Sequence, residues 1–295
     1  MEQLIGTGVA LVTPFGDDGT VDVRALERIV EHCVQGGIDY LVALGTTAEA
    51  ATLSKADKQL VMDVVVRANA ERLPLVVGVG GNNTGAVLED LRLLDLSGFD
   101  AVLSVCPYYN RPTQEGIYQH FKAIAETSPK PVILYNVPSR TGCNMLPGTT
   151  LHLAELPNVV GIKEACGDMV QIDKILAGKP KDFMLISGDD FTALPTVLAG
   201  GAGVISVLGQ GLPHHFSKMI ALGLQGDATA AYGLQHQLLP LMSLIFEEGN
   251  PAGIKSVLQQ QGLCSAQVRL PLVEASGALV QKIRTSMKTL DRAHV

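Results

Sequence analysis

The stretch PVILYNVPSRTG, residues 131–142, runs through four apolar positions and then sets out a phenol, an amide and an arginine at Tyr135, Asn136 and Arg140. The apolar part has no polar alternation. It therefore reads as a strand covered on both faces, the usual condition of a parallel sheet. VVGIKEA, residues 159–165, repeats the arrangement, with a lysine, Lys163, closing its apolar run. Two buried strands that each end on reactive side chains raise both the fold and the function of the chain.

Runs of the same kind recur at residues 8–12, 40–44, 75–79, 101–105, 132–135, 159–162, 183–187 and 203–207. Helical patterns fill the intervals. Val23–Gln35 places Leu26, Ile29, Val30 and Cys33 at the spacing of one helix face. Ser54 and Asp57 form a capping box ahead of a second helix. A third begins at Asn83 or Thr84 and ends near Ser97, a fourth covers 114–126, and shorter ones lie near 147–155, 167–176, 191–199 and 213–223. Eight strand-then-helix units predict a (β/α)8 barrel of the α/β class. A doubly wound sheet would carry a GxGxxG turn after its first strand. The nearest sequence, GVGG at 78–81, follows the third strand instead. Beyond Gly226 only helices are predicted, over 228–246, 251–261 and 272–287. The organisation is therefore a catalytic barrel over 1–224 and a C-terminal helical extension over 225–295, with no linker rich in proline or serine between them.

Bulk properties exclude several function classes. A net charge of −7, 4% aromatic residues and no tryptophan disfavour nucleic-acid and anionic-lipid surfaces. The five cysteines, at 33, 106, 143, 166 and 264, form no CxxC pair and no zinc-spaced cluster with histidine. The opening residues have neither a signal-peptide nor a membrane-span pattern. A cytoplasmic protein with reduced thiols is expected.

Active sites of such barrels lie at the C-terminal strand ends. There the chain places GTTAE (45–49), CPYYNRP (106–112), Tyr135 with Ser139 and Arg140, Lys163 with Glu164, SGDD (187–190), and Ile205 with Ser206. Burial disfavours an ammonium, and a neutral amine adds to a carbonyl carbon to form an imine. Lys163 is the candidate. A lysine at a strand end also commonly snorkels to solvent; what favours chemistry here is the company on the same rim. Tyr135 can carry protons, Thr46 and Thr47 can relay them and cradle a carboxylate, and Arg140 offers a planar fork to a second carboxylate. Lys255, in NPAGIKSVL, also follows Gly-Ile, but it falls at a helix start and is expected to be solvated.

GTTAEAATL, CPYYNRPTQEG, YNVPSRTG, GIKEA, SGDD and GVISV, in this order, resemble the dihydrodipicolinate (4-hydroxy-tetrahydrodipicolinate) synthase family, among the pyruvate-dependent class I aldolases. The resemblance spans nearly the whole chain. It implies a barrel with a helical extension, a homotetramer, and condensation of pyruvate with L-aspartate 4-semialdehyde to 4-hydroxy-tetrahydrodipicolinate, the first committed step towards diaminopimelate and lysine. By resemblance Lys163 forms the Schiff base and Tyr135 donates and accepts the proton. Thr46 links Tyr135 to a Tyr109 contributed by a neighbouring subunit. Thr47 holds the pyruvate carboxylate, Arg140 binds the aldehyde substrate's carboxylate, and Gly188 and the Ile205 carbonyl line the site. No metal or organic cofactor is implied.

Two departures stand out. The family usually has glycine where this chain has Ala48; an ordinary backbone there would tolerate the change. Lysine-sensitive members bind lysine with histidines, a small polar residue and a glutamate, where this chain reads Ala50, Lys55, Lys58 and Ala86. Only Asn82 and Tyr108 remain of that set, so weak or absent lysine feedback is expected. The rival readings are an N-acetylneuraminate or 2-keto-3-deoxy-sugar-acid lyase with the same imine chemistry, and a catalytically silent barrel that binds a metabolite.

Overall fold

A computed structural model describes residues 2–292. Eight parallel strands close in chain order into a barrel: β1 (Gly6–Ala10), β2 (Tyr40–Ala43), β3 (Leu75–Gly78), β4 (Ala101–Val105), β5 (Val132–Asn136), β6 (Val159–Glu164), β7 (Met184–Ser187) and β8 (Gly203–Ser206). β8 pairs back onto β1. The surrounding helices are α1 (Val23–Gln35), α2 (Lys55–Asn69), α3 (Thr84–Leu93), α4 (Gln114–Thr127), α5 (Pro138–Thr141), α6 (Pro147–Leu153), α7 (Met169–Gly178), α8 (Ala193–Leu198) and α9 (Pro213–Leu224). The predicted (β/α)8 barrel is the fold.

Alternate residues of each strand serve two apolar layers. Ala10, Tyr40, Val42, Val76, Leu103, Ile133 and Ile186 fill the interior. Val9, Leu41, Val77, Val102, Leu134, Ile162, Leu185 and Val204 face outward into the larger core beneath the helices. Tyr40 is a fully buried interior plug. Gly8 makes its position possible, because a Cβ there would enter the phenol ring. The Tyr40 hydroxyl donates to Val204 O at 3.2 Å.

Helix starts follow the capping chemistry. Asp22, Ser54, Asn83, Thr113, Asp168 and Asp227 each accept from a first-turn amide, and Ser54 and Asp57 satisfy each other as predicted. Three further helices follow the barrel: α10 (Ala228–Glu247), α11 (Ala252–Gln260) and α12 (Gly277–Arg292). The last three residues of the expected extension lie outside the described residues.

Several boundaries differ from the sequence reading. The first strand begins at Gly6 because its register with β8 starts there, and Val12 leaves the sheet to donate to Gln210 Oε1 at 2.9 Å. The sixth strand continues through Lys163 and Glu164, since Asn136 pairs with Glu164 and prolongs the ladder past the apolar run. The third helix stops at Leu93, where Leu94 turns to extended backbone. The last helix starts at Gly277 rather than at 272. Leu272 and Val273 are apolar but exposed, and the real start is set by Ser276, whose hydroxyl accepts from Leu279 N at 3.2 Å.

Candidate active site

Lys163 and Tyr135 are register partners on β6 and β5. Both point into the upper barrel, 5% and 6% exposed, and the Lys163 Nζ lies 4.4 Å from the Tyr135 ring centroid. Among the described residues no carboxylate pairs with this nitrogen. Gly188 flanks the lysine: a Cβ there would sit 3.0 Å from Lys163 Cγ and Cε and 2.7 Å from Ala165 Cβ. Its amide donates to Glu164 O at 2.7 Å, which holds the glycine against the lysine stem.

The neighbouring residue Glu164 points the opposite way, out of the barrel. Its carboxylate accepts from Asn136 Nδ2 at 2.9 and 3.1 Å, Gln171 Nε2 at 3.0 Å and Cys166 N at 2.9 Å. Burial pushes this carboxyl up from its usual range, and the donors partly offset the effect. The network ties β5 to β6 directly behind the Lys163–Tyr135 pair.

A cavity of roughly 430 Å3 opens above these strands, lined in part by Thr46, Tyr135, Arg140, Val105, Asn250 and Leu272. Thr46 and Thr47 belong to a single 3-10 turn, Thr46–Ala48, that follows β2. Thr47 is buried, and its hydroxyl accepts from Asn250 Nδ2 at 2.9 Å. Arg140 is exposed on the short helix α5 at the end of β5. Ile205 is fully buried in the interior layer, in register with Gly8. The fold thus gathers Lys163, Tyr135, Gly188, Thr46, Thr47 and Arg140 at one end of the barrel.

Tyr109 is not brought to that group within one chain. It is 89% exposed, has φ +72°, and its amide donates to Thr141 O at 3.4 Å. Ala48 has no positive φ; the left-handed positions are its neighbours Glu49 and Leu44, so alanine is accommodated without strain.

Lys255 corrects the sequence reading. It is fully buried, donates to Glu49 Oε1 at 2.6 Å and to Gln267 O at 2.6 Å, and lies 4.3 Å from the Phe15 ring centroid. The reason lies in its helix: residues 252–258 of α11 are all buried, so no wet face exists onto which the amine can snorkel. The same burial should have been legible in the small and apolar run AGI-SVL around the lysine. Asn250 and Leu272, which also line the cavity, were missed because the sequence reading confined the site to strand ends.

All five cysteines are free thiols, and burial pushes Cys166 up to about 12. Among the described residues no three of His, Cys, Asp and Glu gather to hold a metal, and no helix is long and apolar enough to cross a membrane.

The model of the dihydrodipicolinate synthetase family matches residues 3–290. The chain belongs to that family. Among its relatives, the 4-hydroxy-tetrahydrodipicolinate synthase of Flavobacterium psychrophilum is 57% identical over 293 residues, covering 99% of this chain and all of the relative. Dihydrodipicolinate synthase from Thermotoga maritima superposes with a TM-score of 0.95 at 37% identity, covering 98% of this chain and 99% of that one. The chloride-inhibited dihydrodipicolinate synthase from Acinetobacter baumannii, a complex with pyruvate, does so with a TM-score of 0.95 at 39% identity and the same coverages. A dihydrodipicolinate synthetase family member is an enzyme, and this chain is one.

Proposed function

We propose that this enzyme condenses pyruvate with L-aspartate 4-semialdehyde to 4-hydroxy-tetrahydrodipicolinate through an imine on Lys163. The observation that carries the reading is a contrast between two buried lysines. Lys255 is held by a carboxylate at 2.6 Å, whereas Lys163 has no such partner among the described residues and faces a phenol at the mouth of the barrel. With no carboxylate beside it, the Lys163 nitrogen is the one of the two placed to add to a carbonyl carbon.

In the first half-reaction the Lys163 nitrogen adds to C2 of pyruvate, and the carbinolamine expels water. Loss of a C3 proton gives the enamine, whose carbon attacks the aldehyde of the second substrate. The α-amine of that substrate then displaces the lysine nitrogen, which closes the ring and frees the enzyme. Water is the only by-product. Tyr135 moves the protons, Thr46 connects it to the solvent side, Thr47 and the floor at Gly188 and Ile205 seat the keto acid, and Arg140 receives the aldehyde's carboxylate.

Arg140 also separates this reading from the sugar-acid lyases, because its fork at the cavity mouth suits a short aldehyde that ends in a carboxylate. A homotetramer is part of the reading: the exposed Tyr108 and Tyr109 give a neighbouring subunit an aromatic edge, and a partner's Tyr109 completes the relay that one chain leaves open. Lysine is a poor effector, since Lys58 brings like charge to the outer cavity and the Asp90 carboxylate there already has Lys55 Nζ at 3.9 Å.

Borohydride reduction in the presence of pyruvate, followed by peptide mass analysis, tests the imine. The expected product is a covalent adduct on Lys163; a silent barrel gives none. A coupled assay with aspartate semialdehyde and with N-acetylmannosamine then tests the aldehyde. Turnover of the sugar alone would replace the synthase with the lyase.

A further inference from the structure

We infer that Asn250 and Lys255, both outside the barrel, are positioning residues that set the Thr46–Thr47 turn for the keto acid; this rests on the reading of the site just given. The turn is flanked by two non-glycine residues in left-handed backbone, Leu44 at φ +55° and Glu49 at φ +56°. Such conformations persist where surrounding contacts over-determine them. The Thr13 hydroxyl donates to Ala48 O at 2.8 Å, which ties the turn to the segment after β1. Thr52 donates to Glu49 O from its hydroxyl at 3.0 Å and from its amide at 2.9 Å, and further ties come from the C-terminal extension.

Glu49 ends the turn and is buried with the Lys255 amine at 2.6 Å on one carboxylate oxygen and Arg269 N at 2.8 Å on the other. The Arg269 guanidinium continues the clamp, donating to Gly19 O at 2.8 Å, Thr52 O at 3.1 Å and Asp57 Oδ2 at 2.9 Å. Buried ion pairs are weak devices for stability, because desolvation offsets most of the attraction, and packed apolar residues of equal volume often serve as well. A fully buried pair placed two residues from Thr47 is better understood as a fixed geometric stop for the turn.

Asn250 acts on the carboxylate-seating hydroxyl itself. Its Nδ2 donates to Thr47 Oγ1 at 2.9 Å, and it is 7% exposed. A hydroxyl that accepts one hydrogen bond directs its own proton elsewhere. With Asn250 on one side, the Thr47 proton is left to be given to a carboxylate. Asn250 precedes the buried helix α11 and Lys255 lies in its first turn, so one rigid element sets both the rotation of the hydroxyl and the stop beneath it.

The experiment compares the unsubstituted enzyme with N250A and with the double variant E49Q/K255M, which neutralises both partners and leaves no stranded charge. Each is examined by circular dichroism and thermal melting, by borohydride trapping over a range of pyruvate concentrations, and by KM for each substrate. The expected result is a half-saturating pyruvate concentration raised by about 100-fold in folded variants, with the KM for the aldehyde unchanged. A merely structural role would lower the melting temperature and leave pyruvate saturation alone. Unchanged pyruvate saturation in a folded N250A overturns the inference even if the double variant fails to fold. Absence of a Lys163 adduct in the unsubstituted enzyme overturns the reading of the site instead, so the two failures are distinguishable.

Discussion

The Lys163 amine stands 4.4 Å from the centre of the Tyr135 ring, its register partner on the next strand. Parallel pairing alone produces this placement, since residues opposite each other on adjacent strands point to the same side of the sheet. The phenol therefore has two separable parts, a ring that packs beside the amine and a hydroxyl that carries protons. Tyr135→Phe keeps the first and removes the second. Turnover should fall by about 100-fold or more, while the melting temperature stays close to that of the parent. A coupled assay and a thermal melt check both halves; unaltered turnover would remove Tyr135 from the proton path.

Gly188→Ala should act on the lysine without touching its nitrogen. The added methyl would meet Ala165 Cβ at 2.7 Å and the Lys163 stem at 3.0 Å, closer than side chains pack without a shift. A loss of about 1–3 kcal/mol in urea unfolding is expected, together with slower imine trapping as the stem is pushed off its line. Trapping at the parental rate would mean that the stem has room to move aside.

The barrel was legible because its strands are short, apolar and evenly spaced, and because capping residues such as Ser54 and Asp57 announce helix starts locally. The placement of Lys163, Tyr135 and Arg140 at one end of the barrel was legible because polar groups at or just after the ends of apolar strands are conspicuous. Local pattern does not carry contacts between residues 49 and 255, or 47 and 250. These depend on where α11 docks: the apolar run around Lys255 signals that it is buried, but not which acid it meets. Leu272 misled for a related reason: its apolar character suggested a helix face, whereas it lines the cavity from an irregular segment ahead of α12, its amide donating to Arg269 O at 3.1 Å.

Free lysine should neither bind tightly nor inhibit. Lys55 and Lys58 bring like charge to the region an incoming ammonium would occupy, and Ala50 and Ala86 offer it no acceptor side chain. Asp90 lines the cavity, but Lys55 Nζ already lies 3.9 Å from it. Titration calorimetry at millimolar lysine should show no saturable heat, and the coupled assay should lose little activity. Half-inhibition at sub-millimolar lysine would show that another acid receives the ligand.

Stability should show two opposing proton linkages in mildly acidic solution. Burial raises Asp190 from 3.8 to about 6, although its carboxylate accepts from Leu208 N at 2.8 Å and Val207 N at 3.3 Å. Between these values the folded state keeps a proton that the unfolded state has lost. This contribution is therefore full below pH 3.8 and is lost as pH rises through about 6. Burial lowers His120 from 6.5 to about 4, so its contribution is present above pH 6.5 and is lost as pH falls towards 4. Each amounts to about 3 kcal/mol at most, with opposite signs, and the two largely cancel between pH 4 and 6. Removing one should expose the other. Relative to the parent, Asp190→Asn should lose more stability as pH falls below about 6, and His120→Asn should lose more as pH rises from about 4 to 6, whatever buried groups such as Glu164 add to every profile. Urea midpoints at three pH values across the window measure both slopes; parallel profiles for parent and variants would assign the linkage to other groups.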